Sequence, residues 1–247
     1  MECDSNLSRN RAAQHSSRRR QAELTLNRVL VYCGFHKNPA LSLPASGVRG
    51  AAMQVLESGG LNLLWSEVEW PLSSESIQND AVEFHRVITH VFSQTAVAPF
   101  RLLTVFDDVQ ALASFAASVQ NDFLADLERL KNMVQMECVI YFKPVRDADR
   151  SSGQAYLRQK AEVRRSIDEY SNAVRDSLAS LARDVRIREV NTGSRIFCLV
   201  GRGEEALFRS HVEGIAVPAG LERRLSGPWP PAEFLSDFVK TPTPTPE

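Results

Sequence analysis

Nowhere in these 247 residues does an apolar run approach the ~20 that a membrane-crossing helix needs, and no hydrophobic leader follows Met1. The expectation is therefore a soluble, cytoplasmic protein. Charge of one sign is lacking too. Lys and Arg number 29 against 30 Asp and Glu, and the formal net charge of −1 gives no global pull toward nucleic acid or an anionic membrane. Cysteine is sparse: Cys3, Cys33, Cys138 and Cys198 lie far apart with no CxxC pair, so neither a zinc site nor a disulfide framework is indicated. Plain buried thiols in a reducing compartment fit that spacing. HExxH, Walker A and GxSxG elements are missing as well, which removes the positive case for an enzyme. No catalytic residue, metal ligand or cofactor is assigned.

What remains is ordinary globular material, 43% hydrophobic and 24% charged, long enough for one large domain or two small ones. Residues 1–25 read as a disordered basic extension, rich in Ser, Asn, Gln and Arg and ending near Arg18-Arg19-Arg20. From Leu26 the pattern is strand-like over Arg28 to Phe35. Val48 to Leu56 and Leu61 to Val68, separated by Ser58-Gly59-Gly60, read as a β-hairpin. Ile77, Ala81, Phe84, Ile88 and Val91 recur at helical spacing behind a cap at Ser74. His85, on the flank of that stripe, is expected to be a core or boundary residue hydrogen-bonded to backbone rather than a catalyst. Val97 to Phe106 is apolar, with Pro99 demoting its start to an edge. Asp107-Asp108 then opens a helical stretch whose steps of three and four run from Val109 as far as Val134, as one amphipathic helix or two nearly collinear ones.

The second half alternates cleanly. A strand over Met136 to Phe142 is followed by a helix from Gly153 through Leu181, strands at Val185 to Val190 and Arg195 to Val200, a helix over Glu204 to Val212, and a last strand at Leu221 to Leu225. The order βαββαβ is the ferredoxin-like plan. The expected class is α+β, with an N-terminal mixed domain over 26–134, a ferredoxin-like domain over 135–226, and a proline-rich segment and disordered tail over 227–247.

Three stretches imitate chemistry. Gly201-Arg202-Gly203-Glu204-Glu205-Ala206 fits a dinucleotide fingerprint, but the two glutamates stand where a pyrophosphate should sit. Asp147, Asp149, Ser151 and Gly153 begin like a calcium loop, yet the Gly falls late and Arg158 replaces the bidentate Glu, so a solvated turn is read there. Aromatics on the central strands, around Tyr141, Phe142 and Phe197, suggest an RNA-binding sheet. Without a basic rim they are expected beneath helices. The alternative to a non-enzymatic role is a nucleotide or small-molecule module using Gly201-Gly203 and His85.

The most distinctive stretch is Leu225-Ser226-Gly227-Pro228-Trp229-Pro230-Pro231, followed by Phe234. Its prolines exclude helix and central strand and favour a stiff polyproline-like path that carries one indole. It resembles the closing motif of the gas vesicle protein F/L family. The earlier stretch Val97, Pro99, Arg101, Thr104, Val105, Phe106 is similar to that family's second motif, and Gly153, Tyr156, Leu157, Lys160 to a third. Phe84-His85-Arg86-Val87 also fits. Leu103, Ala232 and Glu233 depart from the pattern and mark a divergent member. The resemblance implies a non-enzymatic accessory protein of gas vesicle assembly that binds the major shell protein and other accessory proteins, with no nucleic acid, membrane or small-molecule partner. The seam between the domains, near Pro99, Arg101 and Trp229, is expected to hold either a structural latch or a binding groove. Trp229, Pro228, Pro230, Pro231, Phe234, Pro99, Arg101 and Tyr156 are the candidate residues.

Overall fold

The computed structural model describes residues 26–72, 75–143, 153–191 and 193–236. The α+β class holds: two antiparallel sheets and four helices of nine residues or more account for the described chain.

Strand β1 (Leu26–His36) runs through the centre of the first sheet, because its apolar residues are wanted on both faces. It pairs with β3 (Leu61–Trp70) on one side and with two short strands, β4 (Ala98–Pro99) and β5 (Val105–Phe106), on the other; β2 (Gln54–Ser58) closes the β3 edge. The β2–β3 hairpin turns on Gly59 and Gly60, both at positive φ (50° and 96°). Its first strand starts at Gln54 and not at Val48, since Val48–Gly50 forms a single 3-10 turn with Arg49 in the left-handed region at φ 56°. Asp80 holds that strained residue through two hydrogen bonds from the Arg49 guanidinium, at 3.2 and 2.8 Å, and the Glu83 carboxylate accepts the Arg49 backbone N–H at 2.7 Å. The Arg49 guanidinium pulls the Asp80 carboxyl below its usual range.

Both acids lie on helix α1 (Ile77–Phe92), which is thereby tied to the loop beneath it. Its N-cap is Ser76, whose hydroxyl donates to Asp80; the expected cap, Ser74, lies outside the described residues. Helix α2 (Val109–Arg129) begins as expected at Asp108, whose carboxylate accepts the Ala111 N–H at 2.8 Å. It stops earlier than the periodicity predicts. Asn132 takes φ 59°, and the chain becomes strand β6 (Met133–Phe142), so Val134 belongs to a sheet and not to the helix.

Beyond β6 come helix α3 (Gly153–Ser177), strands β7 (Ala182–Val190) and β8 (Gly193–Gly201), helix α4 (Glu205–Glu213) and strand β9 (Leu221–Trp229). The second sheet is ordered β7-β8-β6-β9. Alternation on β6 and β8 divides the residues between two faces. Val134, Met136, Cys138, Ile140, Ile196 and Cys198 pack with Ile167, Tyr170 and Val174 of α3 and Phe208 and Val212 of α4. Phe197 and Leu199 point to the opposite face, where they pack with Phe123, Leu127 and Leu130 of α2, so Phe197 lies against a helix of the first half rather than against α3 or α4. There Arg188 and Arg195 stack over the Phe197 ring at 5.8 and 5.1 Å, and Tyr141 donates to Glu222 at 2.6 Å.

Two apolar clusters form the core, and each draws on both sheets. Cys33, Cys138 and Cys198 are fully buried free thiols. Burial pushes the Cys138 and Cys198 thiols up to about 12, far from the thiolate that reactive chemistry needs. No helix among the described residues is long and apolar enough to cross a membrane, and no group of metal-ligating side chains occurs among them.

Candidate functional site

Strand β9 does not end at Leu225. It continues through Gly227-Pro228 to Trp229, with Trp229 opposite Gln135 of β6 after a register shift. An edge strand tolerates proline because its outward N–H has no ladder to serve. Gly227 adopts φ 113°, not the polyproline-like geometry expected of it, and a Cβ there would stand 2.8 Å from the Gln135 carbonyl oxygen. The Gly227-Pro228 peptide is cis.

After Trp229 the chain leaves the sheet, turns once at Ala232–Phe234 and crosses to α2. The crossing is bonded at every step. The Gln135 side chain accepts the Glu233 N–H at 3.0 Å, and Arg186 of β7 donates to the Glu233 carbonyl. From α2, Arg129 donates to the Phe234 carbonyl at 2.6 Å and Asp126 accepts the Ser236 N–H at 2.6 Å. Phe234 and Leu235 are buried with Phe123, Leu127 and Leu130 of α2 and with Phe197 and Leu199 of β8. The Arg186 guanidinium covers the Phe234 ring at 5.0 Å. The segment therefore straps the second sheet to the helix of the first half.

Trp229 itself is only half-buried. It forms one wall of a cavity of about 330 Å³ at the seam of the two halves, with Pro230, Ala232, Glu233 and Leu235 beside it. Helix α1 contributes Phe84, His85 and Ile88; the strand-to-turn segment contributes Pro99, Phe100 and Arg101; β6 and β7 add Gln135 and Arg188. His85 is exposed, not core: its ring meets Trp229 edge-on at 5.3 Å between centroids, and Nε2 lies 3.3 Å from the Thr89 hydroxyl. The indole N–H donates to the Ser226 hydroxyl at 3.2 Å. Polar groups on the wall are unevenly matched. Arg188 forms an ion pair with Glu233, whereas Arg101 is exposed without a carboxylate partner among the described residues.

Of the candidate residues, Pro99, Arg101, Trp229 and Pro230 meet in this cavity. Phe234 lies beneath it, fully buried, and Pro231 is buried alongside, while Pro228 is exposed. Tyr156 falls within α3, and its side chain lies outside the described residues, as do the calcium-like loop and the tail from Asp237. Phe84, Ile88, Gln135 and Arg188 were not singled out in the sequence; the helical stripe carries the first two, but nothing local marks the others.

The Gly201-Gly203 turn stands apart from the cavity. Its N–H groups are already taken, Gly201 by Glu204 at 3.2 Å and Gly203 by Glu205 at 2.9 Å, so the chain's own carboxylates occupy the positions a phosphate would need. Arg202 docks this turn on the end of α1, donating to the Phe92 carbonyl at 3.0 Å and lying 4.4 Å over its ring.

The α+β fold, with its two antiparallel sheets, is similar to that of gas vesicle proteins of known structure. The crystal structure of gas vesicle protein GvpF from Anabaena sp. PCC7120 matches 88% of this chain and 98% of its own length, with a TM-score of 0.69 at 14% identity. That of GvpF from Microcystis aeruginosa matches 87% and 99%, with a TM-score of 0.67 at 15% identity. The sequence model of the gas vesicle synthesis proteins GvpL/GvpF matches residues 28–236, and the chain belongs to that family. No curated protein sequence matches it.

Proposed function

We propose that this protein is a non-enzymatic accessory factor of gas vesicle assembly that holds the major shell protein, and other accessory proteins, at the seam cavity. It works in the cytoplasm and on the growing gas vesicle, without nucleic acid, membrane or small-molecule substrate. In this reading residues 26–134 and 135–226 are two domains, the second ferredoxin-like, and residues 227–247 begin as the strap between them. The observation that carries the proposal is the convergence of two separated stretches, Pro99 to Arg101 and Trp229 to Pro230, on one apolar cavity. Loop and strap residues that meet at a concave apolar surface suit recognition of a partner better than packing alone does. A shell subunit with large apolar surface aggregates unless something covers it, and such a cavity supplies part of that cover.

The test is capture of the shell protein by wild type and by Trp229→Ala, with circular dichroism on both. Retained folding with lost capture supports the cavity as the binding surface. Lost folding assigns Trp229 to the latch, and retained folding with undiminished capture removes the cavity from shell binding.

A further inference from the structure

The seam cavity is small, near the bottom of the roughly 300–1,000 Å³ range of ligand pockets, so it has room for a bulky side chain and not for a helix. Its lining is largely apolar, with Phe84, Ile88, Phe100, Trp229 and Leu235 beside the buried amide of Gln135. Its charge is not balanced. Arg188 is neutralised by Glu233, but Arg101 presents a guanidinium that no described carboxylate meets. An exposed Arg on an apolar lip is the residue best suited to a planar carboxylate, and it costs little to leave solvated until one arrives.

We infer that the cavity selects a partner polypeptide by a two-part signature: a bulky apolar side chain inserted between Phe84 and Trp229, and an Asp or Glu directly beside it in the partner's sequence, paired with Arg101. This rests on the reading of the cavity as a binding surface and adds the chemistry of what it accepts. A basic residue in the flanking position is disfavoured, because Arg101 faces it while Arg188 is already paired with Glu233.

The probes are fluorescein-labelled octapeptides of Gly and Ser, acetylated and amidated, with a central Leu-Asp, Leu-Lys or Ala-Asp pair. Anisotropy is measured with the full chain at low ionic strength. Leu-Asp is expected to bind about tenfold more tightly than Leu-Lys, from one attraction gained and one repulsion avoided. It is also expected to bind about tenfold more tightly than Ala-Asp, from the apolar area buried. The Leu-Asp preference over Leu-Lys shrinks as salt rises. Arg101→Ala abolishes that preference, and Arg101→Glu reverses it in favour of Leu-Lys. Because the Arg101 side chain is exposed and makes no hydrogen bond or ion pair among the described residues, both variants keep the wild-type circular dichroism spectrum.

Equal binding of Leu-Asp and Leu-Lys, no binding of Leu-Asp, or a preference that survives Arg101→Ala overturns the inference. If Leu-Asp binds only once Phe238→Ser is introduced, the pocket belongs to this chain's own Asp237-Phe238 and the partner assignment falls. Loss of shell-protein capture in Trp229→Ala together with indifferent peptide binding leaves the proposed function standing and removes only the charge rule.

Discussion

Phe234 and Trp229 stand five positions apart on one strap, and the protein treats them differently. Phe234 is wholly enclosed, its carbonyl bonded to Arg129 and its ring roofed by Arg186. Trp229 is only half-buried, and its side chain makes a single hydrogen bond, to Ser226 three residues away. The larger aromatic is the obvious anchor in the sequence, yet the smaller one closes the core. A ring that is half-exposed beside an open cavity is positioned for contact, and a ring that is fully surrounded is positioned for stability.

The contrast can be broken most directly at Phe234. Phe234→Ala should destabilise the protein by about 3–5 kcal/mol, read as a lowered denaturant midpoint, since the cavity it leaves lies between two rigid elements. A loss as small as that of Trp229→Ala would erase the distinction. Next in size comes Asp126→Ala, which strands the Ser236 N–H and leaves the Arg129 guanidinium only its bond to the Phe234 carbonyl. Its expected cost is about 2–3 kcal/mol, and backbone amide exchange near Ser236 should accelerate. Asp80→Asn, expected at about 1–2 kcal/mol, loosens the α1 wall of the cavity and leaves the strap intact. Because the Arg49 guanidinium lowers the Asp80 carboxyl, the stability from this pair is present above the ordinary carboxylate range near pH 4. It is lost as pH falls through the lowered value, and the variant should not show that acid-side loss. Trp229→Ala should cost only about 1 kcal/mol in a thermal melt while abolishing partner capture, and this pairing sharpens the comparison more than either number alone. Arg101→Ala is the smallest, within about 0.5 kcal/mol of wild type.

Much of the architecture is legible in the residues themselves. The continuous apolar runs of β1, β6 and β8, the glycine turn at Gly59-Gly60 and the Asp108 cap all work through neighbours in sequence, where pattern and propensity agree. Errors occur where a backbone angle overrides the pattern. The helical spacing from Val109 to Val134 runs across Asn132 because Val134 of β6 happens to stand four residues beyond Leu130, and the left-handed turn at Asn132 separates the two elements. Arg49 hides the 3-10 turn in the same way, since a non-glycine residue at positive φ leaves no local signature. Strand β9 outruns its expected end because the rule against proline applies to central strands, and β9 is an edge.

The cavity was legible only as a seam. Its motif residues could be named, but Gln135 and Arg188 enter through register, a property of strand pairing rather than of either strand. The same holds for the strap's partners. Asp126, Arg129 and Arg186 carry no distinguishing mark in the sequence, and 47 to 110 positions separate them from the backbone groups they bind.

Phe234 follows every strand of both sheets in the chain. During vectorial synthesis the helices and sheets leave the ribosome before the residue that plugs the gap between α2 and β8, so the nascent protein carries an open greasy slot until the strap has emerged. Stalled or prematurely terminated products are therefore distinguishable from finished ones by that slot alone, and proteolytic surveillance has a physical mark to act on.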